Sequence, residues 1–174
     1  MFHARVALCC QEIHSHTNGN KPASIIVSPL KFETNAKGHT MTIHTQKTDR
    51  DSQWAMTSSN DTWILTKNAE IETSGMPGVY EGNGVENSNI RILGDVKTSG
   101  GGTYAVSFQD DSSSVYVGKA SHIDGRAAFA GMAMNGGGTE IVNHGLVQGG
   151  TIGVYGTAWG SVENHGTVTG DTGI

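Results

Sequence analysis

The sequence has few of the residues that support a cross-linked domain or a membrane-spanning helix. Of its 174 residues only 2 are cysteines and 3 are prolines, and 6% are aromatic. The adjacent residues Cys9 and Cys10 are poorly placed for a structural disulfide, and there is no third cysteine to pair with either. No apolar run approaches the roughly 18 residues of a membrane-spanning helix. A disulfide scaffold and an integral membrane helix are therefore excluded for this sequence.

Positive charge is also scarce. The formal net charge is −5, and residues 63–174 carry eleven Asp or Glu residues against five Lys or Arg residues. Binding to phosphate groups requires a basic surface. Nucleic acid is therefore not expected as a partner.

Glycine is abundant, and it is concentrated in one part of the chain. Residues 63–174 contain 23 of the 25 glycines, and valine and isoleucine greatly outnumber the five leucines. This composition favours strands joined by glycine-dependent turns. Residues 141–149 (IVNHGLVQG) are nearly repeated 21 residues later by residues 162–170 (VENHGTVTG). A fixed period of this size is typical of a chain built from stacked copies of one small unit.

Five copies of the repeat share an apolar anchor that recurs every 21 to 27 residues, at Ile71, Val96, Ile123, Val147 and Val168. Six residues before each anchor stands a second apolar residue, and this set is Leu65, Ile90, Val117, Ile141 and Val162. Even offsets place side chains on one face of a strand, whereas a helix needs steps of three and four. We predict that each set forms one continuous file of inward-facing side chains.

The sequence therefore predicts an all-β fold, a right-handed parallel β-helix of about five coils over residues 63–174. We expect residues 41–62 to be a lead-in or capping segment. Residues 1–40 contain no copy of the repeat and are expected to be a poorly ordered or partly helical appendage, or no part of the native product. Helical spacing of apolar residues within 2–14 favours one or two amphipathic turns, which we expect to cap the open end of the first coil if this segment is native. Because the chain stops where another strand is due, we expect a longer protein, or end-to-end self-association through an open last coil.

Three tracts resemble a known family: residues 63–69 (WILTKNA), the two Asn-His-Gly copies, and residues 159–166 (WGSVENHG). They are similar to the β-helical N-terminal portion of bacterial hemolysin-type (RTX) calcium-binding proteins, and similar coils occur in autotransporter passenger domains. The resemblance implies export by a type I system and a secreted or cell-surface location. Calcium in the RTX family is held by nonapeptides of the form G-G-x-G-x-D-x-U-x, which this chain lacks. We therefore expect no cofactor in this chain, and calcium only in a longer protein.

The repeat also predicts which polar side chains stack. Asn143 and Asn164 occupy equivalent places in adjacent coils, and we predict that their amides form a hydrogen-bonded ladder. His144 and His165 would stack in the same way, but two imidazoles fall short of the ligands that a structural metal needs. Atoms that bind zinc also occur in Cys9, Cys10, His14 and His16. Adjacent cysteines do not match the usual gap between zinc ligands, so no metal site is predicted.

Two functions of different classes remain open. One is a non-catalytic structural or display module that offers outward loops 81–89, 109–114 and 131–138 to a cell-surface or glycan partner. The alternative is a polysaccharide lyase or hydrolase, which needs clustered carboxylates and a basic residue. The candidates for that chemistry are Asp110, Asp111, Asp124 and Arg126. Adjacent aspartates on a strand point to opposite faces, and Asp-Asp-Ser-Ser is ordinary turn composition, so display is the preferred function.

The aromatic residues are compatible with either a binding role or a structural role. They are Trp54, Trp63, Trp159, Tyr80, Tyr104, Tyr116 and Tyr155. They suit a sugar-stacking surface, but large amphipathic rings also pack well at coil edges and over the open end of a solenoid.

Overall fold

The computed structural model describes residues 40–174, and the regular structure in this range consists entirely of β-strands. The strands are β1 (Ile43–Gln46), β2 (Trp54–Met56), β3 (Thr62–Leu65), β4 (Glu70–Ser74), β5 (Val79–Glu81), β6 (Asn89–Ile92), β7 (Asp95–Ser99), β8 (Tyr104–Phe108), β9 (Ser114–Val117), β10 (His122–Gly125), β11 (Ala130–Met134), β12 (Thr139–Asn143), β13 (Leu146–Gly149), β14 (Ile152–Gly156), β15 (Gly160–Asn164) and β16 (Thr167–Thr169).

These strands form three parallel sheets. Sheet A has the order β1-β3-β6-β9-β12-β15, sheet B the order β4-β7-β10-β13-β16, and sheet C the order β2-β5-β8-β11-β14. From β3 onward, consecutive strands visit sheets A, B and C in turn, and every strand except β4 pairs with the strand one coil earlier. The predicted parallel β-helix of about five coils is therefore confirmed. Within the described range, no helix has the length and apolar character needed to cross a membrane.

Alternation along each strand produces the interior. In β4, Ile71 and Thr73 point inward and are buried, while Glu70 and Glu72 point outward and are exposed. The inward side chains of the three sheets join in one hydrophobic cluster that runs along the solenoid. Fully burying one large aliphatic side chain contributes about 1.5–3 kcal/mol, so a few inward residues per coil stabilise a thin rod.

The anchor residues in sheet B lie in register from coil to coil. Ile71 pairs with Val96, Val96 with Ile123, Ile123 with Val147, and Val147 with Val168. Four of the five side chains are completely buried, and Val168 packs against the cluster from its edge.

The predicted file in sheet A is wrong in register, because it mixes two neighbouring files. The structure pairs Ile90, Ile141 and Val162 in one file with Trp63 and Val115. The second file consists of Leu65, Ile92, Val117, Asn143 and Asn164. Leu65 and Val117 therefore lie two residues away from their predicted register.

Unequal corners between sheets A and B cause this difference. The corner contains four residues at 66–69 and 118–121 but only two at 93–94, 144–145 and 165–166. Each longer corner contains a tight turn, closed by the hydrogen bonds from Ala69 N to Thr66 O and from Ser121 N to Gly118 O. In the two coils with the longer corner, the residue six positions before the anchor therefore belongs to the neighbouring file.

Residues 41–62 form the first coil and the connection to the second, rather than a separate lead-in. Strand β1 pairs with β3, Arg50 bridges to Ile71, and β2 pairs with β5. His44 lies over Trp63, with ring centroids 3.8 Å apart. Inward polar side chains thus cover this end of the core. The predicted helix within 2–14 and the residues Cys9, Cys10, His14 and His16 lie outside the described range.

Close backbone contacts fix glycine at the corners between sheets A and B. A Cβ atom at Gly94 would lie 2.1 Å from the carbonyl oxygen of Ala69, and one at Gly145 would lie 2.5 Å from that of Ser121. Real Cβ atoms do not approach a backbone oxygen this closely. These corners stack tightly because glycine has no side chain.

Candidate binding face

The outer face of sheet A carries a continuous row of rings and one guanidinium group. The guanidinium carbon of Arg91 lies 5.1 Å from the centre of the Tyr116 ring. Tyr116 is 5.4 Å from the ring of His144, and His144 stacks on His165 at 4.8 Å with the ring planes 15° apart. We call these four residues the aromatic strip. Its spacing follows the distance of about 4.8 Å between adjacent strands, so the strip runs along the solenoid axis.

Strand alternation explains why the first two members point outward. Arg91 stands between the buried residues Ile90 and Ile92, and Tyr116 stands between two buried valines. The guanidinium group and the ring lie in adjacent strands at paired positions. A cation over the face of an aromatic ring is attracted by the quadrupole of the ring.

The two histidines are positioned by the corner that follows sheet A. The backbone N–H of His144 donates to Val117 O at 2.9 Å, and that of His165 donates to Asn143 O at 2.7 Å. The Nε2 atom of His165 lies 2.6 Å from Oε1 of Glu163, which fixes the orientation of the ring. The two imidazoles are thus held face to face at the surface.

Asn143 and Asn164 have the geometry of the predicted amide ladder. Asn143 Nδ2 donates to Asn164 Oδ1 at 2.8 Å, while Asn143 Oδ1 accepts from the backbone N–H of Gly145 at 3.0 Å. Asn164 Oδ1 accepts from Gly166 N at 3.2 Å in the same way. Each amide therefore stabilises the corner that carries one histidine of the aromatic strip.

Hydrogen-bonding groups flank the end of the strip that contains Arg91 and Tyr116. A shallow hollow of about 230 Å³ lies beside Tyr116 and is lined by Asn89, Arg91, Ser114, Val115, Tyr116, Glu140 and Val142. The hollow combines one aromatic face with an amide, a hydroxyl, a carboxylate and a guanidinium group. Such a combination can stack against a flat apolar surface while it hydrogen-bonds the polar edge of the same ligand.

The structure does not bring the predicted catalytic residues together. Asp124 lies in β10 of sheet B, where Arg126 binds both of its carboxylate oxygens, at 2.9 and 2.6 Å. Asp110 and Asp111 lie instead in a corner between sheets C and A. Asp110 accepts a hydrogen bond from Gly84 N, and Asp111 accepts one from Gly137 N at 2.6 Å. All three carboxylates therefore stabilise local structure in two separate places.

Hydrogen bonding governs the charge state of Asp124. The bidentate contact with the Arg126 guanidinium holds the pKa of this carboxyl below its usual range, although burial acts in the opposite direction. An ionised carboxylate that is bound on both oxygens is poorly suited to act as a general acid.

A larger hollow of about 490 Å³ lies on sheet B and is lined by Asp49, Arg50, Asp51, Glu70 and Glu72. Three of its charged groups have local partners: Asp49 accepts from Glu70 N at 2.8 Å, Arg50 contacts Ser52 Oγ at 3.2 Å, and Glu72 pairs with Lys97 at 2.7 Å. None of its lining residues is aromatic. The outer face of sheet A therefore combines more of the features that recognise a ligand.

The aromatic residues named from the sequence divide among several places. Trp54 and Trp63 are buried at the first coils, with their rings edge to face at 5.7 Å. Tyr104 and Tyr155 stack at 6.2 Å beside sheet C. Tyr116 belongs to the aromatic strip, and Trp159 is highly exposed. They do not form a single platform.

Glu81 is a buried acid that the sequence analysis did not select. It ends β5 with its side chain inward, in a file between Met56 and Phe108, and it is fully buried. Ser113 Oγ donates to Oε1, while Oε2 and the Oγ of Ser88 have no partner. Burial, with some repulsion from Asp110, raises the pKa of Glu81 to about 7. Alternation along Val79-Tyr80-Glu81 was the signal that this side chain points inward.

The predicted outward loops do not all coincide with the corners between strands. Residues 82–88 and 109–113 are corners between sheets C and A, but residues 131–134 belong to β11. Only residues 135–138 of the third predicted loop therefore connect two strands.

Within residues 40–174, no group of three or more His, Cys, Asp or Glu side chains is arranged to hold a metal ion. Comparison of the chain with protein-family models, curated proteins and solved structures gave no match. The resemblance to RTX and autotransporter proteins therefore stays a prediction.

Proposed function

We propose that this chain is a non-catalytic display module of an exported bacterial protein, and that it binds glycans through the outer face of sheet A. The observation that carries this proposal is the aromatic strip. Pyranose rings present apolar C–H groups on their faces and hydroxyl groups around their edges. Because His144 and His165 stack face to face and Arg91 lies over Tyr116, a sugar contacts the outward edges of these rings, and the flanking polar groups suit its hydroxyls.

Rigidity supports a role in display. The strip is built on strands and on corners whose backbone is bonded to the preceding coil, and the amide ladder restrains both histidine corners. A preformed surface loses little conformational entropy when a ligand binds. The module presents a fixed row of contacts at the spacing of its coils.

The local contacts of the carboxylates predicted to be catalytic favour binding without bond cleavage. Glycoside cleavage by two carboxylates needs one carboxylate on each side of the scissile bond. Asp110, Asp111 and Asp124 are instead engaged with backbone amides or with Arg126. Asp124 and Arg126 line a hollow of about 420 Å³ on sheet B, but no second carboxylate among the described residues lines it, so the lyase or hydrolase alternative is not preferred. Export, a cell-surface partner and calcium in a longer protein stay predictions that rest on the RTX-like repeat.

A binding assay with a matched control tests the proposal. Soluble and insoluble β-linked glucans and chitin are incubated with the protein, with Tyr116→Ala and with Tyr80→Ala, which removes an outward tyrosine from sheet C. We expect Tyr116→Ala to weaken binding by about tenfold, which corresponds to about 1.4 kcal/mol, and Tyr80→Ala to bind normally. Equal binding by both variants, or no binding of any glycan, would refute the proposal. Release of new reducing ends would favour the enzyme alternative.

A further inference from the structure

Trp159 is an exposed ring that the backbone holds in a fixed place. It lies in the corner between β14 and β15, and its carbonyl oxygen accepts a hydrogen bond from Gly138 N at 2.6 Å. A Cβ atom at Gly137 would lie 2.6 Å from Nε1 of the indole and 3.1 Å from Cε2. One side of the indole therefore packs on glycine backbone, while Trp159 as a whole remains 77% exposed.

Trp159 lines its own hollow on the outer face of sheet A, at the opposite end of β15 from His165. The hollow measures about 160 Å³ and is lined by Gly138, Glu140, Trp159, Gly160 and Ser161. Glu140 and Ser161 are paired outward residues of adjacent strands. Glu140 also lines the hollow beside Tyr116, so the two hollows share one carboxylate and are neighbours on the same face.

Together the two hollows extend across four adjacent strands of sheet A. Arg91 lies on β6 at one end, and Trp159 immediately precedes β15 at the other. Tyr116 pairs with Val142 and Val142 pairs with Glu163, so Trp159 lies two strand spacings across the sheet and four residues along the strand from Tyr116, a diagonal of roughly 16 Å. A β-1,4-linked sugar chain advances by roughly one strand spacing for each residue, so three units span this diagonal.

We propose that Trp159 is the terminal platform of the glycan site, and that the site takes three consecutive β-1,4-linked pyranose units with equatorial hydroxyl groups. This inference rests on the proposed function and adds the class and length of the ligand. Equatorial hydroxyls leave both faces of a sugar ring apolar, which suits stacking on the free face of the indole. The Glu140 carboxylate and the Ser161 hydroxyl accept and donate hydrogen bonds at the edge of that sugar.

The lining of the Trp159 hollow argues against a cationic ligand. Recognition of a quaternary ammonium group usually relies on several aromatic rings that enclose the cation. Trp159 is the one aromatic residue among those that line this hollow. A single ring beside a carboxylate and a hydroxyl suits a flat ligand with a polar edge.

Tryptophan fluorescence provides the test. Trp54 and Trp63 are buried, so quenching by acrylamide reports mainly on Trp159. The protein is titrated with the di-, tri- and tetrasaccharides of β-1,4-linked glucose and N-acetylglucosamine. We expect protection from acrylamide on binding, an affinity that rises about tenfold from the disaccharide to the trisaccharide, and no further rise for the tetrasaccharide.

Variants separate this inference from the proposed function. Isothermal titration calorimetry of Trp159→Ala should give a trisaccharide affinity reduced to that of the disaccharide, with disaccharide binding unchanged, whereas Trp159→Phe should retain most of the affinity. Gly137→Ala should act like Trp159→Ala, because its Cβ displaces the indole. If Trp159→Ala binds the trisaccharide normally while Tyr116→Ala does not, the Trp159 platform is rejected and glycan binding stands. If the unaltered protein binds none of these sugars, both proposals fail.

Discussion

Replacing Glu81 with glutamine should stabilise the protein at alkaline pH and leave its stability at acid pH unchanged. Glu81 is fully buried, and one of its carboxylate oxygens has no hydrogen-bond partner. Ionisation in this place is unfavourable because the charge loses its hydration without gaining a compensating cation. The same cost raises the pKa of the carboxyl from 4.5 to about 7.

The sign and size of the effect follow from the two pKa values. Below pH 4.5 the carboxyl is protonated in both the folded and the unfolded chain, so its full contribution to stability is present. As the pH rises toward 7, the unfolded chain releases the proton first, and the free energy of unfolding falls. Because each unit of pKa shift corresponds to about 1.4 kcal/mol, the loss by pH 8 is about 3 kcal/mol.

The Glu81→Gln variant stays neutral at every pH and avoids this loss. Its amide oxygen can accept from Ser113, and its amide nitrogen can donate to the unpartnered Ser88 Oγ. Urea unfolding, followed by circular dichroism at pH 4.5, 6, 7 and 8, should show a stability difference that grows to about 3 kcal/mol. Other titrating groups are common to both proteins and cancel in the difference.

Glu86→Gln is the matched control, because Glu86 is an exposed glutamate in the same corner. It should unfold like the unaltered protein across the whole pH range. A difference between Glu81→Gln and the unaltered protein that stays constant from pH 4.5 to 8 would refute the reasoning, since it would show that Glu81 does not titrate with folding in this window.

Two further substitutions test the packing of the coils by urea unfolding. Gly94→Ala should lower the free energy of unfolding by about 2–3 kcal/mol, because its Cβ would overlap the carbonyl oxygen of Ala69. Gly82→Ala is the control, since its Cβ would make an ordinary contact and should change the stability little. Equal effects of the two substitutions would contradict this account. Asn143→Leu should cost about 1–3 kcal/mol because it removes buried hydrogen bonds. Asn164→Leu, at an exposed position, should cost less, and the reverse order would argue against the ladder.

Alternation was enough to predict the fold, but it could not supply the full register. Side chains such as Leu65 and Val117 were expected to point inward and do so, because a corner that is longer by two residues preserves alternation. The two extra residues of the corner also shift Leu65 and Val117 into the neighbouring file. Corner length depends on local turns, such as the one that Thr66 and Ala69 close, and these carry little signal in an apolar pattern.

The candidate site was predictable where it repeats and hidden where it does not. His144 and His165 were expected to stack because they occur in two copies of one motif. Arg91 and Tyr116 join the row through the pairing of β6 with β9, which the register error concealed. The contact between Trp159 and Gly137 joins two corners of unequal length, so no fixed spacing in the sequence relates them.

The two lengths of the corner between sheets A and B have a consequence for redesign. Adding two residues there keeps every later side chain on its original side of the strand, whereas adding one would turn the next strand inside out. Peptides inserted at 93–94 or 144–145 should therefore have an even number of residues. Tolerance to length change at this corner comes in steps of two.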